Sequence, residues 1–80
     1  MNEFEDVLIT IQMKNDSEIA ESCFTATMTD TKAYALLNEI RGWHTSLGED
    51  VLTTIRHIAE GQAYLMGYHL TNVASAEILH

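Results

Sequence analysis

Metal ligation is the first chemistry these residue types allow, because imidazole, thiolate and carboxylate are ordinary metal donors. The chain holds His44, His57, His69, His80 and a single cysteine, Cys23. His57 and Glu60 stand three apart, a spacing that sets both on one helix face and lets them share a ligand. The pair occurs once, however, and runs in the reverse order from the Glu-x-x-His of carboxylate di-iron bundles. Structural zinc takes four ligands at short spacings, usually with several cysteines among them. Neither a metal nor a cofactor is expected.

The other site chemistries meet similar objections. Cys23 sits among threonines with acids nearby, and lacks the cationic neighbours that make a reactive thiolate. No serine is placed beside an activating base by a recognisable motif. The stretch GWHTSLGEDV, residues 42–51, has Gly42 and Gly48 six apart, yet Glu49 and Asp50 would repel a phosphate there. No catalytic constellation emerges, and a non-enzymatic protein is expected.

Charge is the more informative signal. Twelve acids face four bases, for a net charge of -8. The imbalance is concentrated early: residues 1–30 carry Glu3, Glu5, Asp6, Asp16, Glu18, Glu21 and Asp30 against Lys14 alone. Nucleic-acid binding needs clustered Lys and Arg to release counterions, and no such cluster exists. A protein with a basic surface is the better partner, since an acidic field steers association with it. The same acidity also serves solubility.

These residues must be positioned by elements that the pattern of apolar residues defines. VLITIQM, residues 7–13, alternates with Val7, Ile9, Ile11 and Met13 on one side, the period of a half-buried strand. Asn15-Asp16-Ser17 follows as a turn. Ala20, Phe24, Ala26 and Met28 then recur at even positions. A turn over 15–18 sets Lys14 against Ile19, Met13 against Ala20, Ile9 against Phe24 and Val7 against Ala26, with every apolar partner on one face. The opposite face carries Leu8, Thr10, Gln12, Cys23, Thr25 and Thr27, suited either to solvent or to an uncharged contact.

A helix over about 30–41 follows, with Asp30 as its N-cap and Ala33, Leu36, Leu37 and Ile40 as its apolar stripe. Gly42 suits a left-handed stop, and Trp43 then clasps back onto Asn38 or Leu37. Ser46-Leu47-Gly48-Glu49 matches a capping box for a second helix from about 47 to 60 or beyond. Its expected buried stripe is Val51, Leu52, Ile55, Ile58 and Ala59. Gly61 either ends this helix or lies inside it, and the segment to residue 80 reads as strand or helix. If the helix continues, His57, Gly61, Tyr64 and Tyr68 align as a stripe that could dock another helix or a second protomer.

The expected fold is α+β: one domain over 1–80, with an antiparallel hairpin over about 4–29, extended by a C-terminal strand if the last segment is one, packed against two helices. A chain this short, without a disulfide, buries a modest core and gains from association. The N-terminal acids do not suit an export signal and no apolar run approaches a membrane span, so a cytoplasmic protein is expected. Two functions fit. One is an acidic, protein-binding regulator or inhibitor that docks on a basic, nucleic-acid-handling protein through Glu3, Glu5, Asp6, Asp16, Glu18, Glu21, His44, Tyr64 and Tyr68. In size and acidity the chain resembles small phage-encoded inhibitors such as anti-CRISPR proteins, a likeness of composition that carries over no residue. The other is a homo-oligomeric structural or scaffold subunit, such as a homodimer.

Overall fold

A computed structural model describes residues 3–43 and 50–80. Strands β1 (Phe4–Lys14) and β2 (Ile19–Thr29) form the hairpin, followed by helices α1 (Asp30–Ile40) and α2 (Val51–Leu65) and strand β3 (His69–Leu79). The sheet is antiparallel in the order β2-β1-β3, so the expected hairpin gains a third strand on the far side of β1. The architecture is α+β, with the helices packed over one face of the sheet.

The hairpin has the register that the apolar alternation requires. Val7 faces Ala26, Ile9 faces Phe24, Met13 faces Ala20 and Lys14 faces Ile19. Its turn closes locally: the Asn15 carboxamide oxygen accepts from the Ser17 and Glu18 N–H groups at 2.8 and 2.9 Å. The central strand supplies three of the four largest fully buried side chains, Val7, Ile9 and Ile11, and Met13 beside them is nearly buried. Burying an aliphatic side chain of this kind contributes roughly 1.5–3 kcal/mol.

Both helices end in the same way. Gly42, at φ 88°, donates to the Glu39 carbonyl, and the Trp43 N–H reaches the Asn38 carbonyl. Gly67, at φ 83°, donates to Tyr64, and the Tyr68 N–H reaches Ala63. These are paired Schellman bonds, and glycine is needed because other residues resist the left-handed region. Gly61 therefore lies inside α2, and Gly67 is its stop. Trp43 closes the motif through its backbone N–H, and the residue is 69% exposed.

The helix starts differ from expectation. Thr29, not Asp30, caps α1: its hydroxyl accepts from the Lys32 N–H, and Asp30 falls in the first turn. Thr29 has extended backbone, which a cap requires and which its place at the end of β2 provides. Asp50 caps α2 by accepting from the Thr53 N–H at 3.0 Å and from the Thr53 hydroxyl, so the helix begins at Val51 rather than near 47. The proposed capping box at Ser46 and Glu49 lies outside the described residues.

Within α2 the buried residues are Val51, Ile55, Ala59 and Ala63, a strict four-residue spacing. Ile58, expected in that stripe, is 44% exposed because it flanks this line instead of lying on it. In α1, Ala33, Ala35 and Leu36 are buried while Leu37 and Ile40 are half-buried. The helices are tied by Glu39 of α1, whose carboxylate accepts from the Leu52 N–H at 2.6 Å and the Val51 N–H at 3.4 Å. That carboxylate meets α2 at its positive end.

Strand β3 is irregular. Thr10 pairs with Ser75 but Ile11 with Val73, and Gln12 pairs with Asn72 but Met13 with Leu70. Ala74 and Thr71 are thus the extra residues of two bulges. Each bulge reverses the alternation, which keeps Ile78, Ala76, Val73 and Leu70 all toward the helices.

Candidate functional site

Three surfaces bear on function: the helix-free face of the sheet, the groove beside α2, and the places where the acids emerge.

The helix-free face is built by register. Its rows run Asp6, Thr27 and Leu79, then Leu8, Thr25 and Glu77, then Thr10, Cys23 and Ser75. Below them lie Gln12 with Glu21 and Asn72, and Lys14 with Ile19 and His69. The centre is neutral, and carboxylates stand around it at Asp6, Glu77 and Glu21. Leu8 and Thr10, in the middle strand, are half-buried by their neighbours. Asp6 is oriented by the Thr27 hydroxyl, which donates to it at 2.7 Å. Among the described residues, nothing packs over this face.

The groove beside α2 holds about 520 Å³ and is lined by His57, Glu60, Gly61, Tyr64, Tyr68, His69 and Leu70. It gathers the stripe expected from sequence, although Tyr68 reaches it after the helix has ended. Tyr64 stands 78% exposed at its wall. The Tyr68 hydroxyl donates to Glu18 at the hairpin tip, joining the end of α2 to the β1–β2 turn. That hydrogen bond to Glu18 is the main cause that raises the Tyr68 pKa, with desolvation and the Glu18 charge adding to it. His57 Nδ1 lies 3.9 Å from Glu60 Oε2, both exposed. No set of three metal-binding side chains comes together among the described residues.

The six expected acidic contact residues of the hairpin do not converge. Glu3 is exposed and its carbonyl accepts from the Asp30 N–H, while Glu5 is half-buried opposite Met28 on the helix side. Asp16 is exposed at the tip, and Glu18 is engaged by Tyr68. Asp6 and Glu21 share the helix-free face, but six positions separate Asp6 from Gln12, the partner of Glu21. At about 3.3 Å per residue they stand roughly 20 Å apart. Of the expected set, the structure brings together Glu18 with Tyr68, and Tyr64 with Tyr68 across the groove. His44 lies outside the described residues.

Sequence reasoning missed Glu77 and Glu39. Glu77 alternates with Ala76 and Ile78, so reading the tail as a strand would have set it on the open face. Glu39 falls on the inner side of α1 toward α2, a position that appears only once the second helix is packed.

No protein-family model matches the chain, and neither the curated proteins nor the solved structures contain a match. No helix among the described residues is long and apolar enough to cross a membrane.

Proposed function

We propose that this chain is a non-catalytic, acidic protein-binding regulator or inhibitor that docks on a basic, nucleic-acid-handling protein. The observation that carries this reading is the helix-free sheet face, where a neutral centre of Thr10, Cys23, Thr25 and Ser75 is bordered by Asp6, Glu21 and Glu77. A neutral centre can be covered without desolvating a charge, and carboxylates at the margin select a partner with basic residues at the matching rim. Lys14 and His69 close one end of the face and give it direction.

The test immobilises the full chain, captures lysate proteins, and elutes between about 0.05 and 0.5 M salt, where screening removes surface attraction. Retention should fall across that range and be lost for Asp6→Asn with Glu21→Gln and Glu77→Gln. A partner held equally at both salts, or equally by the neutralised variant, would remove the reading. The alternative, a homo-oligomeric subunit, draws its support from a different part of the molecule, the outer edge of β2.

A further inference from the structure

The sheet has two edges of different kinds. β3 carries the bulges at Ala74 and Thr71, a device that turns an edge away from strand addition. β2 has no such protection. Its 11 residues pair with β1 without a break, include no Pro, Lys or Arg, and carry Glu21 as their one charge. Two bonds fix the phase of its hydrogen bonding: the Asn15 N–H donates to the Glu18 carbonyl at one end of the hairpin, and the Asp30 N–H to the Glu3 carbonyl at the other. In an antiparallel ladder paired residues alternate between bonding and non-bonding. Both bonds give the same answer: even-numbered residues of β2 bond to β1, and odd-numbered ones aim their N–H and C=O groups outward.

We infer that β2 pairs antiparallel with β2 of a second copy of this chain, about a two-fold axis at Phe24. Full overlap places Phe24 on Phe24, Ala20 on Met28 and Glu21 on Thr27. The first two contacts lie on the helix side, where apolar residues meet apolar ones across the axis. Within the paired strands no charge faces a charge; Glu18 and Asp30, opposite each other just beyond the strand ends, mark the limit of the overlap. The two copies of Glu21 stand six positions apart along the strand, roughly 20 Å at about 3.3 Å per residue, well beyond a screening length of about 8 Å. A groove of about 170 Å³ on the same side, walled by Ala26, Met28, Val51, Ile55 and the exposed Ile58 with Lys32 at its margin, adjoins this edge and leaves mainly apolar surface for the second copy to cover. Self-pairing uses the backbone rim of β2, whose Glu21, Cys23 and Thr25 also belong to the open face, and sedimentation of the chain alone reads it apart from capture of a basic partner.

Sedimentation velocity on the full chain under reducing conditions tests this, from about 1 to about 100 µM, the range in which ordinary interfaces populate. Wild type is expected to form a dimer whose share grows with concentration; a monomer throughout overturns the inference. Thr25→Pro removes an outward N–H that β1 does not use, a position where edge strands accept proline. It is expected to be monomeric with an unchanged circular-dichroism spectrum, and a folded Thr25→Pro dimer overturns the inference. If Thr25→Pro unfolds, a charge series carries the same question, because Cys23 faces Thr25 of the other copy. Cys23→Lys with Thr25→Lys should abolish the dimer, and Cys23→Lys with Thr25→Glu should restore it. The reverse order would follow from net charge alone, so equal or reversed dimerisation rejects this register.

Discussion

Asp50 and Tyr68 show how single polar contacts make this fold respond to pH in opposite directions. The Thr53 hydroxyl and N–H hold the Asp50 carboxyl below the usual aspartate range, with smaller contributions from Glu39 and the Leu52 N–H. A depressed folded value means that Asp50 adds stability above its unfolded pKa, and loses it as pH falls through the folded one. Asp50→Asn should therefore unfold at a lower temperature than wild type near neutrality, with the gap closing in acid; a pH series of thermal unfolding checks it. Tyr68 works the other way, because Glu18 raises its pKa. Its contribution is complete below the unfolded tyrosine value and is lost as pH rises through the folded one. Tyr68→Phe should speed amide exchange at the Asn15–Glu18 turn at neutral pH, and the difference from wild type should shrink in strong alkali.

At the level of elements, Gly61 and Gly67 do different work within and at the end of α2, and substitution separates them. Gly61 lies mid-helix with nothing within 4 Å of an added Cβ, so Gly61→Ala should stabilise by about 0.5–1 kcal/mol. Gly67 holds φ 83°, and Gly67→Ala should cost about 1–2 kcal/mol despite equally open space. Urea unfolding of both variants reads the two signs. Glu39→Ala should cost about 1 kcal/mol by leaving the first N–H groups of α2 without their acceptor, as loss of a cap does. The hairpin, its register and the existence of both helices were legible in the sequence, because Val7, Ile9, Ile11 and Met13 alternate without fault and Gly42 marks a stop. β3 was legible only as one of two alternatives, for a physical reason: bulges at Thr71 and Ala74 space its inward residues Leu70, Val73, Ala76 and Ile78 by three, three and two, which imitates a helical period. The open face was half legible. Its β1 and β2 members followed from alternation, but Glu77 was hidden with the strand that carries it.

Across the whole molecule, the net charge of -8 acts on both proposed associations, with opposite sign. Added salt screens repulsion between two copies and attraction to a basic partner alike. Self-association followed by sedimentation should tighten as salt rises, while binding to a basic partner should weaken over the same range. The chain is elongated, 44 × 24 × 17 Å, with its strands setting the long dimension. Its two rims differ in kind, and this fixes how far assembly can proceed. Strand addition at both rims would propagate without limit into a fibre. If β2 pairs as inferred, the bulges of β3 disfavour a second pairing at the other rim, and each copy then has a valence of one. The irregularity that makes β3 ambiguous in the sequence would then also be the terminator that confines an open-ended sheet to a closed pair.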